Sequence, residues 1–226
     1  MRLEFPHHPE WEVPFNPEVV KVLSQPFYYM DKGSQCYVFE SRDGKYVIKL
    51  FRYDHPTSDN KVILLFNACK AAFDFLKEET GLLFVHLNPT PMDIPTVHCR
   101  DPIGRSHWFD LNHCRFALQK KAKPFRSTLL EARAHPEEMR RLLDQFIDLL
   151  VARTEKGVIN SDPSLSRNFG FLDGRAVEID FGNYRPVGCV DGPQEIQRYT
   201  KKLRKWLINY APEYIEYLEG KVEVLQ

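Results

Sequence analysis

Strand-like and helix-like patterns are segregated along this chain rather than interleaved. Between residues 34 and 51, "SQCYVFES", the turn "RDGK" and "YVIKLF" place aromatic and β-branched residues around Asp43-Gly44, which predicts a hairpin. "IPTVHCR" and "SHWFDL" flank the turn "DPIG" and predict two more strands, "CRFALQKKA" a third, while "LLFVHLN" fits helix or strand. One helix interrupts the series over residues 59–79. Asp59 serves as N-cap, Val62, Phe66, Cys69, Phe73 and Leu76 form one apolar face, and Gly81 is the stop. In the second half, residues 136–154 start on a proline and align Leu142, Leu143, Phe146, Leu149 and Leu150. A loop, the strand "NFGFL", the turn "DGR" and the strand "AVEIDF" follow, then a helix over about 193–217, broken near Pro212. A doubly wound sheet would alternate strand and helix throughout. The order therefore predicts an α+β chain of two lobes: a Pro-rich irregular arm (1–30), a β-rich lobe with one helix (31–118), and a connecting segment with a reduced helical lobe (119–226). "KPF" at residues 123–125 reads as the exit to a linker.

Composition narrows the setting. With 43% apolar and 13% aromatic residues the chain can build a core, and its 31 basic and 31 acidic residues leave no surplus that would point to nucleic acid. Apolar runs such as "GLLFV" are too short to span a bilayer. The opening "MRLEFPHHPEWEVPF" lacks the apolar stretch of a secretory leader, and five scattered Cys suit a reducing compartment. The expectation is a chain that works in the cytoplasm, or in a host cell as a delivered effector.

The densest chemistry lies in residues 156–182, "KGVINSDPSLSRNFGFLDGRAVEIDFG". The hairpin "FGFLDGRAVEI" brings Asn168 and Asp180 to the same end of two paired strands, where oxygen donors suit a hard cation such as magnesium. Asp162 precedes both. Lys49 ends an apolar strand with Val47 on the same face. Blander readings exist: Lys49 as a lysine snorkelling to solvent, Asp162 before Pro163 as a turn or helix cap, Asn168 as a turn residue. Two His-Cys pairs, His98-Cys99 and His113-Cys114, lack the paired spacing of structural zinc sites and read as ordinary strand residues.

Taken together these segments resemble the protein-kinase-like fold, from about Gly33 to Gly182. "KGSQCYVF" stands where that family has its glycine-rich loop, with Gly33, Ser34 and Val38 over the phosphates; "YVIK" stands where it has its phosphate-binding lysine. The resemblance implies that Lys49 contacts the nucleotide phosphates, that Val47 lies beside the nucleotide, and that main chain around Leu118, Gln119 and Lys120 meets adenine. It further implies Asp162 as catalytic base, Asn168 and Asp180 of "DFG" as magnesium ligands, and Glu79 as the ion partner of Lys49. The implied activity is ATP- and magnesium-dependent phosphoryl transfer, with serine or threonine of a protein as acceptor. A small-molecule kinase and a kinase-like binding module without catalysis are the alternatives. The chain departs from the pattern in several places. Asp31 and Cys36 replace the outer glycines, Asn160-Ser161 replaces His-Arg, Asn168 follows Asp162 by six positions instead of five, and no Ala-Pro-Glu follows Gly182. The resemblance is thus to a minimal, atypical kinase.

Overall fold

A computed structural model describes residues 6–52, 58–88, 92 and 94–225. The chain is α+β and divides into two compact units, residues 1–74 with 82–121, and residues 75–81 with 122–226. No described helix is long and apolar enough to cross a membrane.

The first unit begins where an irregular arm was expected. Residues 1–5 of that stretch lie outside the described residues. The rest is ordered by burial: a 3-10 turn (Pro9–Trp11), helix α1 (Pro17–Leu23), then strand β1 (Phe27–Lys32). Asn16 caps α1 by accepting the Glu18 N–H at 2.9 Å, and Pro17 occupies the first helical position, where its missing donor costs nothing. Trp11 is buried, its indole N–H donates to Asn67 Oδ1 at 2.7 Å, and its ring meets Phe66 edge-on at 5.2 Å. Burial of this kind is worth roughly 1.5–3 kcal/mol per large apolar side chain, enough to fix a proline-rich segment.

Strands β2 (Cys36–Ser41) and β3 (Tyr46–Phe51) form the expected hairpin, with Gly44 at φ +69° in its turn. Helix α2 (Asp59–Phe75) follows, and the chain then departs from helical geometry at Leu76. Residues 77–80 form a separate turn, α3 (Lys77–Thr80), so the helix ends before Glu79, and Gly81 in the left-handed conformation terminates α3. Strand β4 (Leu82–His86) settles the ambiguous "LLFVHLN" as strand. The hairpin β5 (Val97–Arg100) and β6 (Ser106–Phe109) and the strand β7 (Phe116–Lys120) complete a seven-stranded sheet in the order β4-β7-β3-β2-β1-β5-β6. All its pairs are antiparallel except β1 with β5.

In the second unit "KPF" is no linker: Lys123 and Pro124 form β8 against β10, and Phe125 starts helix α4 (Phe125–Ala132). Helix α5 (Pro136–Glu155) follows, then β9 (Val158–Asn160), a single turn α6 (Leu165–Asn168), and the hairpin β10 (Phe169–Leu172) and β11 (Arg175–Glu178). The hairpin turns through Asp173 and Gly174, both at positive φ (50° and 79°), as a two-residue turn requires. Strand β12 (Tyr184–Pro186) pairs with β9, and helix α7 (Gly192–Tyr210) leads through a 3-10 turn at Pro212 into α8 (Ile215–Glu223). The helix break falls at the predicted proline. Phe125, Phe146, Phe169, Leu203 and Leu207 are among the side chains of one apolar core between the helices and the hairpin.

Candidate active site

The stretch 160–182 folds into a loop whose main chain and side chains are tied to one another. Asn160 ends β9 opposite Tyr184 of β12 and is fully buried. Its Oδ1 accepts the Asp162 N–H at 2.9 Å, and its Nδ2 donates to Glu178 Oε1 at 2.7 Å and to the Asp180 carbonyl at 3.2 Å. One amide therefore holds both expected acidic positions at their backbones. The Asp162 carboxylate accepts the Ser164 N–H at 3.2 Å, an Asx-type turn that orients the side chain locally.

Asn168 closes the α6 turn, its N–H bonded to the Ser164 carbonyl at 3.1 Å. Its side-chain Nδ2 donates to the Asp162 carbonyl at 2.8 Å, and its own carbonyl accepts the N–H groups of Ile179 and Asp180 at 2.6 and 3.4 Å. The residue is 1% exposed, and its Oδ1 is buried without a hydrogen-bond partner. An amide oxygen left so costs about 1–3 kcal/mol of desolvation, a cost that a cation would offset. Asp180 follows two residues past β11 and accepts the Gly182 N–H on Oδ1 at 3.2 Å. Asn168 and Asp180 are thus joined through the backbone bond between them, and the donor set is the all-oxygen kind that magnesium takes. Among the described residues no group of three or more His, Cys, Asp and Glu side chains is clustered for a metal.

Beneath the loop lies a network that sequence reading missed. Glu178, 0% exposed, accepts Arg153 Nη1 and the Tyr184 hydroxyl, both at 2.7 Å on Oε2. Arg153, 1% exposed, also donates to Glu195 Oε1 at 2.9 Å, and Glu195 Oε2 accepts Arg198 at 3.0 Å. Arg198 donates further to the carbonyls of Asn160 and Ser161 at 3.0 and 3.2 Å, and the Tyr199 hydroxyl to the Asn160 carbonyl at 3.1 Å. The guanidinium carbons of Arg153 and Arg198 lie 4.7 and 5.4 Å from the Tyr199 ring centroid, a double cation–π contact. Two carboxylates against two guanidiniums make the set neutral.

Burial opposes the charge on Arg153, but the Glu178 carboxylate together with the Tyr199 and Tyr184 hydroxyls more than offsets it and raises its pKa above the usual arginine value. Burial first, and then Glu178, push the Tyr184 hydroxyl well above the usual phenol range; burial raises Tyr199 likewise. Both phenols remain donors across working pH. The signal for this network was in the sequence: Arg153 sits three and four residues past Leu150 and Leu149 on the apolar face of its helix, and Glu178 shares a strand face with Ala176. A charge in a core register demands a partner.

In the first unit, Val38 pairs with Lys49, Lys49 with Ala117, and Val47 with Gln119. Cross-strand partners and alternate residues share a face, so Val38, Val47, Lys49 and Gln119 stand on one side of the sheet. Gly33 lies at the tip of the β1–β2 hairpin with Ser34; its N–H donates to the Cys36 carbonyl at 3.0 Å and its carbonyl accepts Arg52 at 3.1 Å. A Cβ at Gly33 would meet nothing closer than 3.8 Å, so neither backbone nor crowding requires glycine there. Leu118 and Gln119 lie between β3 and β4, paired on both sides. Lys121 donates its N–H to the Lys45 carbonyl at 2.8 Å. Alternation therefore turns the Lys120 main chain to the other side, beyond Leu82, the first paired residue of β4. Glu79 belongs to the second unit, where its Oε1 accepts Lys156 at 2.6 Å.

Comparison of the chain with protein-family models and with curated proteins finds no match.

Proposed function

We propose that this chain is an ATP- and magnesium-dependent phosphotransferase of two-lobed, kinase-like design, with a protein serine or threonine as acceptor. The observation that carries the reading is the Asn168 side chain. Its Nδ2 is committed to the Asp162 carbonyl and its Oδ1 is buried and unpartnered, while the main-chain carbonyl of the same residue accepts the Asp180 N–H. A turn residue or a solvated loop amide would have both ends satisfied.

In this reading Asn168 Oδ1 and the Asp180 carboxylate hold magnesium, which when bound neutralises phosphate charge. Asp162, oriented by the Ser164 N–H, would receive the proton of the acceptor hydroxyl as that hydroxyl's oxygen bonds to the γ-phosphorus and the bond from this phosphorus to the bridging oxygen breaks, with ADP leaving. Asn160 keeps the backbones of Asp162 and Asp180 in register. Lys49 takes the phosphate-orienting role on the resemblance alone. Phosphoryl transfer needs mainly positioning and charge stabilisation, so so small a set suffices.

The test is incubation of purified protein with γ-labelled ATP, magnesium and a cell lysate, beside Asp162→Ala and Asp180→Ala. Label in protein bands with the native chain only is the expected outcome. Equal labelling by Asp180→Ala defeats the metal assignment. Nucleotide binding by the native chain without transfer to any acceptor turns the reading to a kinase-like binding module.

A further inference from the structure

The exposed side of α7 carries a run of cations. A groove of about 360 Å³ is lined by Gln194, Gln197, Arg198, Lys201, Lys202 and Lys205: two amides, three lysines, and Arg198, whose charge is paired with Glu195 at 3.0 Å. Lys201, Lys202 and Lys205 are exposed and enter no ion pair with the described residues, whereas Arg204, on the neighbouring side of the helix, is neutralised by Glu219. A chain with as many acids as bases has here concentrated one sign. Such a surface attracts anions over several ångströms and is selective for them.

The groove also has an address. Arg198 lines it and, through Nη2, holds the carbonyls of Asn160 and Ser161, the two residues before Asp162. The cationic run therefore begins under the loop that bears the candidate base and extends along α7 away from it. From Arg198 to Lys205 the helix advances seven residues, about 10 Å at 1.5 Å per residue. That exceeds a single phosphate and matches about three residues of extended chain at ~3.3 Å each.

We infer that this groove binds an acidic, extended peptide segment and so selects protein acceptors with carboxylates flanking the target hydroxyl. The inference rests on the phosphotransferase reading for the word acceptor; the binding itself does not. The amides of Gln194 and Gln197 supply hydrogen bonds to such a peptide's main chain or side chains, and Lys202 and Lys205 its charge partners.

The experiment has two arms. Fluorescence anisotropy with a labelled serine peptide carrying three flanking glutamates, in the absence of nucleotide, reads the groove alone. The native chain is expected to bind it at least tenfold more tightly than a neutral peptide of the same length, with affinity falling steeply in salt. Lys202→Glu with Lys205→Glu is expected to abolish the preference. Both lysines are exposed, and Arg198 is left in place because it supports the loop; an unchanged melting temperature verifies the fold. Equal binding of acidic and neutral peptides, or a preference untouched by the double reversal, overturns the inference. So does a polyphosphorylated small molecule that displaces the peptide at far lower concentration than an unlabelled copy of it. The second arm measures transfer from ATP. A lower KM for the acidic peptide with similar kcat, lost in the double variant, supports the inference, whereas equal KM values for the two peptides overturn it. Acidic-peptide binding without transfer supports the groove and sinks the phosphotransferase reading alone.

Discussion

Replacing Arg153 with methionine tests what the buried network contributes. The side chain keeps much of its volume but leaves Glu178 and Glu195 without their shared cation. Glu195 retains Arg198 on its other oxygen, at 3.0 Å. Glu178 retains only the neutral donors Tyr184 and Asn160, both at 2.7 Å, and so becomes an uncompensated buried carboxylate. Breaking a buried pair in this way costs about 3–5 kcal/mol. For a chain of this length each kcal/mol moves the melting temperature by about 2–4 °C, so the drop is about 6–20 °C.

The assay is calorimetric melting of native protein, Arg153→Met, and Arg153→Met with Glu178→Gln. The double variant removes the stranded charge and is expected to recover most of the loss. A native-like melting temperature for Arg153→Met, or a double variant no better than the single one, would refute the charge argument.

Two further outcomes follow from local geometry. Gly170→Ala puts a Cβ 2.6 Å from the Lys123 carbonyl oxygen and 2.9 Å from Ala122 Cβ, so β8 and β10 must separate; a loss of about 1–3 kcal/mol in urea unfolding is expected, while Gly220→Ala, with nothing within 4 Å, stays neutral or gains slightly. The Cys99 thiol is fully buried, and burial pushes its pKa up to about 12; alkylation at pH 8 followed by mass mapping should label exposed Cys189 first and leave Cys99 unmodified in the folded protein.

What could be read from the sequence was whatever repeats within a few residues. The alternation of "YVIKLF", the Asp-Gly turns at residues 43–44 and 173–174, the apolar face of residues 136–154 and the break at Pro212 each announce themselves locally. Elements defined by a distant partner did not. Strand β9 has three residues, too few for a period, and exists because Tyr184 to Pro186 pair with it. Helix α1 was hidden by its prolines, although Asn16-Pro17 is a good helix start and Val19 and Leu23 are one turn apart and buried. The break of α2 at Leu76 comes with no glycine or proline to mark it.

The candidate site divides in the same way. Asp162, Asn168 and Asp180 are visible as residue types in a spacing, but the spacing alone left the six-residue step from Asp162 to Asn168 unexplained. The fold supplies the reason. The single turn of α6 takes up the intervening residues and returns Asn168 to within 2.8 Å of the Asp162 carbonyl, so the two are adjacent in space whatever their separation in sequence. That turn has no side-chain cap and only four residues, so it does not hold by itself. It is held at its end by the Asn168 carbonyl on the N–H groups of Ile179 and Asp180, and the strand before those residues is anchored by Glu178 on Arg153. Under the proposed phosphotransferase reading, loss of Arg153 is therefore expected to weaken magnesium-dependent nucleotide binding as well as stability, even at temperatures where Arg153→Met is fully folded. Binding of magnesium–ATP by that variant with native affinity would show the loop to be positioned by its own hydrogen bonds, with the network serving stability alone.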